Sequence, residues 1–178
     1  CTCSRREVAD NAVAGIDGPV YPGTCRSGPS HPGDPTAWRL LTDDQPIDFA
    51  DAIQGPLQQV LSRDVGDFII KRRDGLFAYQ LAVVVDDAAQ GITDVVRGAD
   101  LLDSTPRQLY LMRCFGLPVP RHAHLPVALN AAGQKLSKQT LAPGLNGNAT
   151  AQDRVALLNA ALNFLGQPAV EATDPVQL

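Results

Sequence analysis

Long apolar runs are absent from this chain of 178 residues. A membrane-spanning helix needs about 20 consecutive apolar residues. No stretch comes near that length, so we expect no membrane partner. No charged segment followed by an apolar one precedes Cys1, which indicates no export leader and predicts a cytoplasmic protein. The chain does not begin with methionine, so the sequence does not show where the natural protein begins.

Glycine-rich phosphate-binding loops are also absent, since neither G-x-G-x-x-G nor a similar pattern occurs in the sequence. Hydrophobic residues still account for 44% of the chain, as in ordinary folded domains, and the length is sufficient for a core. We therefore expect one domain, or one domain with a small appendage.

Positive charge is in slight deficit, because the net charge is −4. A nucleic-acid partner would have to meet a local positive face, since the protein as a whole is not basic. The alternative is that the cations are scattered and solvated. The candidates for a positive face are Arg5, Arg6, Arg26, Lys71, Arg72, Arg73, Arg107, Arg113 and Lys135.

Cysteine is scarce and unevenly placed. Only four cysteines occur; Cys1, Cys3 and Cys25 lie near the start and Cys114 stands alone. This distribution suits a metal site in a reducing compartment better than a disulfide framework. A structural Zn²⁺ usually takes four ligands. Three thiolates with His31 as the fourth ligand are the default set on chemical grounds.

Residues 76–108 carry the main fold signal. Residues 81–85 and 92–96 form two short apolar runs bounded by turn signals, which predict strands buried on both faces, as in a parallel sheet. Polar residues at the ends of such strands usually line a ligand crevice. Ser104 or Thr105 near an N-cap, with Pro106 in the first turn, predicts a helix after the second strand.

Turn and cap signals divide the rest of the chain. Residues 65–72 and Phe77 flank an Arg-Asp-Gly turn at residues 73–75, which predicts a β-hairpin. Gly116 predicts the end of the preceding helix, and residues 124–129 predict another short buried strand. A capping-box pattern at residues 150–153 predicts a C-terminal helix, whose apolar face comprises Val155, Leu158, Leu162 and Leu165.

Three motifs, in the same order along the chain, resemble the class I glutamyl-tRNA synthetase family. Residues 76–108 resemble the family's second catalytic half. The K-L-S-K-Q sequence at residues 135–139 resembles the second ATP signature, K-M-S-K-S, with Leu for Met and Gln for the last Ser. Cys1-x-Cys3 and Tyr21-x-x-x-Cys25 resemble the zinc ligands of the family's glutamyl-queuosine branch. Together the motifs cover residues 1–143.

The resemblance implies an α/β fold, namely the second half of a class I Rossmann-type nucleotide-binding fold with an inserted zinc-bearing module. It divides the chain into three parts. Residues 1–64 would form the zinc-bearing and tRNA-contacting region, residues 65–145 the second half of the catalytic domain, and residues 146–178 a C-terminal helix and tail.

The resemblance also implies a glutamate site formed by Tyr79 and Arg97. A guanidinium offers a planar fork of donors that matches a carboxylate, so an arginine can distinguish glutamate from glutamine by charge. The alternatives are a core tyrosine at position 79 and an ion pair of Arg97 with Asp94 or Asp100. No residue is assigned a catalytic proton transfer.

ATP and zinc sites follow from the same resemblance. Lys138 would contact ATP, supplied with Mg²⁺, and Lys135 would support it. The implied ligands of a structural Zn²⁺ are Cys1, Cys3, Tyr21 and Cys25, with His31 or water left open in place of the phenolic oxygen.

The implied reaction is a ligation in which glutamate is activated with ATP and transferred to queuosine in the anticodon of tRNA(Asp). The expected partners are tRNA(Asp), glutamate and ATP, and the expected state is a monomer. The family's first ATP signature, of the H-I-G-H type, is absent, so we expect this polypeptide alone to be inactive. A truncated glutamyl-tRNA synthetase that charges tRNA(Glu) and a non-catalytic zinc- and RNA-binding fragment remain alternatives.

Overall fold

The computed structural model of the chain describes residues 1–136, 144 and 146–170. The chain divides into two units, Cys1–Leu125 and Pro126–Leu178, and each is described by itself. Among the described residues, no helix has both the length and the apolar character that a membrane crossing requires.

Helices occur in both units. A 3₁₀-helix, Ala99–Ser104, leads directly into one of them. Within the described residues the α-helices are α1 (Arg5–Asp10), α2 (Leu61–Asp64), α3 (Tyr79–Gln90), α4 (Thr105–Phe115) and α5 (Ala151–Phe164).

The strands belong to the first unit and form three small sheets. The described strands are β1 (Ala14–Gly15), β2 (Gly18–Pro19), β3 (Trp38–Leu40), β4 (Ile47–Asp51), β5 (Gly55–Gln59), β6 (Phe68–Lys71), β7 (Asp94–Gly98) and β8 (Arg121–Leu125). The largest sheet has the order β5-β4-β8-β7, and β1 pairs with β2 and β3 with β6. β8 runs parallel to both β4 and β7, whereas β5 is antiparallel to β4. β7, α4 and β8 therefore form the β-α-β arrangement that a parallel pair requires.

The prediction of a strand at residues 81–85 is wrong, because these residues lie in the middle of helix α3. The helix ends at Gly91, which has a positive φ of 67° and caps it in the left-handed conformation. Val84 is fully buried while Val85 is 47% exposed, so only one side of the segment meets the core. Short apolar runs do not distinguish a strand from a buried helix by themselves, and packing against α4 decides the matter here.

The second apolar run does form a parallel strand, but it is displaced by two residues. β7 comprises Asp94–Gly98 and pairs with β8 in register from Asp94↔Arg121 to Gly98↔Leu125. It is not buried on both faces, since Val96 is 64% exposed. The predicted strand at residues 124–129 likewise begins earlier, as β8.

The predicted helix and its two boundaries are confirmed. α4 has Ser104 at its N-cap, proline in its first turn, and Gly116 in the left-handed conformation at its end. Its buried face, together with Leu61, Phe68 and Val84, forms the core of the first unit.

The predicted hairpin is only partly present. Arg72 donates its backbone N–H to Leu76 O at 2.8 Å, and Gly75 has a positive φ, so the turn forms. Phe77 makes only one antiparallel bridge to Lys71, because helix α3 begins two residues later. β6 finds its partner strand in β3 instead.

In the second unit, α5 begins with the capping box that the sequence predicts. Thr150 and Asp153 exchange side-chain and backbone hydrogen bonds. The helix carries half-buried residues at the spacing expected of one face, namely Val155, Leu158, Asn159 and Leu162.

Candidate active site and metal centre

Three cysteine thiols converge at the start of the chain. The sulfur atoms of Cys1, Cys3 and Cys25 all lie within 4.8 Å of one another, and Cys3 Sγ is 3.4 Å from Cys25 Sγ. Cys1 is held in place because its carbonyl accepts the backbone N–H of Ala37 at 2.9 Å. Cys25 lies in a turn after Gly23, which has a φ of 81°. Thiolates around one tetrahedral zinc would be separated by roughly 3.8 Å, so the donor set fits this ion.

Tyr21 places its hydroxyl beside the three thiols. Its Oη lies 3.5 Å from Cys1 Sγ and accepts the backbone N–H of Cys25 at 2.7 Å. The ring is covered by the Arg39 guanidinium, whose carbon is 3.8 Å from the ring centroid. Burial raises the pKa of Tyr21 to about 12, so a coordinating phenolate requires a cation to lower it.

His31 is not brought to the cysteine cluster. Its Nε2 lies 2.8 Å from the carboxylate of Glu7, and that hydrogen bond raises the pKa of His31. Ser30 is the unexpected neighbour, with its hydroxyl 3.4 Å from Cys25 Sγ and 3.6 Å from Cys3 Sγ. Burial raises the pKa of Cys25, but bonds from Ser30 and the backbone outweigh it and bring the pKa to about 5. The thiolate, the metal-binding form, is favoured.

Arg97 is the penultimate residue of β7, and its side chain donates to a histidine, to a threonine and to a backbone carbonyl. Its Nε donates to His124 Nε2 at 2.9 Å. Its Nη2 donates to Thr105 Oγ1 at 2.8 Å and to Leu101 O at 3.4 Å. Burial lowers the pKa of Arg97, although a guanidinium stays charged at any physiological pH. The result is a fixed cation at the end of the parallel strands.

Tyr79 approaches Arg97 from helix α3, of which it is the first residue. Its contact with the guanidinium works against burial and raises the pKa of Arg97, as do the charges of Asp87 and Asp100. The tyrosine is 53% exposed, so it is not the core tyrosine that the sequence allowed. The structure therefore brings together Tyr79 and Arg97, although a helix rather than a strand delivers the tyrosine.

Asp94, one of the two alternative partners of Arg97, pairs with another residue. Its carboxylate lies 2.6 Å from Arg121 Nε on the neighbouring strand. Asp100, the other alternative, is close enough for its charge to raise the pKa of Arg97. Arg97 therefore lies among His124, Thr105, Tyr79 and Asp100.

Lys135 belongs to the second unit and follows the turn at residues 130–133. It forms an antiparallel bridge with Leu129, and Leu136 donates its N–H to Ala128 O at 2.9 Å. Lys138, like its motif neighbours Ser137 and Gln139, lies outside the described residues.

Most of the cations proposed for a positive face have acidic partners. Arg26 pairs with Asp67 and Arg107 with Asp17. Lys71 differs, since its Nζ lies 5.1 Å from the centroid of the exposed Trp38 ring. Further pairs join Arg6 to Asp10, Arg72 to Asp74 and Arg113 to Asp43.

Sequence reasoning missed the residues that surround Arg97. Asp51 and His124 form a buried pair with 2.6 Å between Oδ2 and Nδ1, and Thr105 completes the setting. In the sequence, His124 is distinguished only as the first residue of a predicted strand. Nothing local marks Asp51, because its partner is 73 residues away.

Residues 27–171 match the family described as tRNA synthetases class I (E and Q), catalytic domain. The chain is 56% identical over 174 residues to the glutamyl-Q tRNA(Asp) synthetase of Dechloromonas aromatica, covering 97% of this chain and 56% of that protein. It is 50% identical over 182 residues to the enzyme of the same name from Neisseria meningitidis, covering 100% of this chain and 60% of that protein.

Solved structures are similar as well. A glutamate tRNA ligase from Elizabethkingia meningosepticum, in complex with its amino acid, has a TM-score of 0.54 and 31% identity. The match covers 59% of this chain and 21% of that one. The chain spans somewhat more than half the length of the curated relatives named above.

Proposed function

Because the chain belongs to the catalytic-domain family of class I tRNA synthetases for glutamate and glutamine, we propose that it forms part of an enzyme that ligates glutamate to queuosine in tRNA(Asp). Members of this family have the class I catalytic fold, with mixed α/β sheets of Rossmann type. The identity of 56% to a glutamyl-Q tRNA(Asp) synthetase over almost the whole chain supports this branch of the family.

The observation that carries the glutamate site is the setting of Arg97 beside Tyr79. Arg97 is charged and partly buried, and its Nε and Nη2 are held by His124 and Thr105. The side chain of Tyr79 also contacts the guanidinium, and we assign this guanidinium to a substrate carboxylate. A neutral amide would match the same donor poorly, which favours glutamate over glutamine. The hydroxyl of Tyr79 adds a polar contact to the same ligand.

ATP would provide the activation, with Mg²⁺ as its counter-ion. In our proposal Lys138 contacts the triphosphate and Lys135 supports it. Such cations accelerate the reaction when they stabilise charge that develops in the transition state. The chain's own contribution is to position glutamate and ATP and to stabilise charge.

A zinc ion fits the thiol cluster, and we propose Cys1, Cys3, Cys25 and Tyr21 as its ligands. Three soft thiolate donors with one oxygen satisfy the tetrahedral preference of Zn²⁺. The ion would supply structural stability, since binding to a set of residues that are separate in the unfolded chain stabilises the folded state. Tyr21 is our choice over His31, because Glu7 already binds the imidazole.

The test uses the full-length gene product. We expect glutamate-dependent ATP–pyrophosphate exchange without tRNA, followed by transfer of labelled glutamate to tRNA(Asp) that carries queuosine. The same tRNA without queuosine and tRNA(Glu) are the matched controls, and both should remain unlabelled. Labelling of tRNA(Glu) would identify an ordinary glutamyl-tRNA synthetase instead, and the absence of any exchange with glutamate would contradict the proposal.

A further inference from the structure

A buried chain of hydrogen bonds runs across three neighbouring strands to reach Arg97. Asp51 ends β4, His124 lies on β8 and Arg97 on β7, and these strands are adjacent in the sheet. His124 Nδ1 lies 2.6 Å from Asp51 Oδ2, and its Nε2 is 2.9 Å from Arg97 Nε. The side chains of Asp51 and His124 are both completely buried. Water therefore does not reach the hydrogen bond between Asp51 and His124.

The proton positions in this chain follow from Arg97. An arginine Nε–H can only donate, so His124 Nε2 must be the unprotonated, accepting nitrogen. The ring hydrogen is consequently on Nδ1 and is donated to Asp51. His124 is therefore the neutral Nδ1–H tautomer.

Asp51 is held in the ionised form that this tautomer needs. Its Oδ1 accepts backbone N–H groups from Ile53, Gln54 and His124 at 3.0, 2.9 and 3.1 Å. Burial would raise the pKa of Asp51, but these bonds and the one from His124 Nδ1 outweigh it and keep the pKa well below its ordinary value. The carboxylate thus accepts at both oxygens and cannot easily rotate.

The remaining neighbours of the imidazole reinforce its orientation. The ring of His122 lies parallel to that of His124, with centroids 6.1 Å apart. Burial lowers the pKa of His122 and so favours its neutral form. Thr105 Oγ1 is 3.3 Å from His124 Nε2 and accepts from Arg97 Nη2. Gln54 donates to the carbonyl of His124 at 2.8 Å.

We propose that Asp51 and His124 are positioning residues that fix the Arg97 guanidinium for binding the carboxylate of glutamate. An arginine side chain has many rotamers, and ordering them during binding weakens affinity. The Asp51–His124 pair reduces that loss by holding Nε before the substrate arrives. This inference rests on the proposed role of Arg97 in glutamate binding.

Asp51→Asn tests the proposal with a change of a few atoms. The amide oxygen can still accept the three backbone N–H groups, but the amide nitrogen now donates towards His124 Nδ1. The ring proton must move to Nε2, where it faces the Arg97 Nε–H and two donors oppose each other. An analogous tautomer inversion is strongly deleterious in serine proteases.

We expect the Michaelis constant for glutamate to rise by about tenfold or more in ATP–pyrophosphate exchange by the full-length gene product, and that for ATP to change by less than about twofold. The matched control is Asp48→Asn, the same chemical change on the same strand. Asp48 is exposed and binds Gln58 Nε2 at 2.6 Å, so this variant should behave as the parent protein. The ¹⁵N resonances of His124 should report the hydrogen on Nδ1 in the parent and on Nε2 in Asp51→Asn.

A second pair of variants decides the question if Asp51→Asn does not fold. The amide oxygen of His124→Gln can accept from Arg97 Nε, whereas His124→Leu offers no acceptor, so glutamine should retain more glutamate affinity than leucine. Equal Michaelis constants for glutamate in these two variants and the parent would overturn the positioning role, as would a folded Asp51→Asn that behaves like Asp48→Asn. Arg97→Ala separates the two proposals, since unchanged glutamate use in that variant would refute the glutamate site itself.

Discussion

Arg26 forms a two-point ion pair with Asp67, in which Nε and Nη2 each lie 2.7 Å from a different carboxylate oxygen. The carboxylate is almost completely buried, while the guanidinium is about half exposed. Arg26 follows Cys25 directly, and Asp67 immediately precedes β6. The pair therefore ties the loop that carries the third thiol to a strand of the core.

Removing the Arg26–Asp67 ion pair should destabilise the first unit. We expect Arg26→Ala to lower the free energy of unfolding by about 1–2 kcal/mol, since a buried carboxylate loses its charged partner but the arginine is partly solvated. Urea denaturation measures the change. Arg63→Ala is the control, because Arg63 pairs with Asp64 in an exposed setting and should cost less than about 0.5 kcal/mol. Equal losses in the two variants would contradict this assignment.

The same pair should make stability depend on pH in acid. Burial would raise the pKa of Asp67, but bonds from Arg26 and Thr42 outweigh it and lower the pKa below its ordinary value of 3.8. A lowered folded-state pKa contributes stability above the unfolded pKa, and that contribution disappears as pH falls through the folded pKa. The stability difference between the parent and Arg26→Ala should be constant above about pH 5 and shrink below about pH 4. If the stability difference between the parent and Arg26→Ala grew as the pH fell, the assigned direction of the Asp67 pKa shift would be wrong.

Zinc content tests the thiol cluster. We expect about one zinc per chain by elemental analysis, lost in Cys3→Ser and retained in Cys114→Ser, because Cys114 is exposed and lies outside the cluster. Tyr21→Phe should release zinc to a competing chelator more readily than the parent, whereas His31→Ala should not. A parent protein without metal would contradict the metal centre. If His31→Ala released zinc more readily than Tyr21→Phe, the fourth ligand would be His31 and not Tyr21.

Arg97 is the residue whose loss should affect glutamate use most. We expect Arg97→Ala in the full-length gene product to lower kcat/KM for glutamate by at least about 10³-fold, because a buried charged contact to the substrate disappears. Arg97→Lys should rescue little, since a lysine offers no Nε and Nη2 fork for His124 and Thr105. The control Arg121→Ala removes a more exposed guanidinium, which pairs with Asp94, and should retain activity. A fully active Arg97→Ala would exclude the glutamate site.

Local signals predicted the elements that depend on a few neighbouring residues. The left-handed Gly116 after α4, the capping box of α5 and the turn at Gly75 all formed where the sequence placed them. Each depends on the backbone preference or hydrogen bonding of residues within four positions of one another. Such features can therefore be predicted from the sequence without knowledge of tertiary contacts.

Residues 81–85 show where local reading fails. Leu-Ala-Val-Val-Val is equally apolar as a strand or as part of a helix, and β-branched residues lower helix propensity by little compared with what packing supplies. Burial of one side of the segment at Val84, which packs it against α4, decided the outcome. Tyr79 nevertheless contacts Arg97, from the first residue of that helix.

The sequence by itself determined the candidate ligands and the family, since cysteine spacing and the Tyr79 and Arg97 motif are visible in the printed residues. Only the tertiary structure decided which side chains act together. His31 hydrogen-bonds Glu7, Ser30 lies beside the thiols, and Asp51 hydrogen-bonds His124 across the sheet. The physical reason is distance along the chain. Pairing of parallel strands brings Asp51 and His124, which are 73 positions apart, within hydrogen-bonding distance, and no local backbone preference predicts that contact.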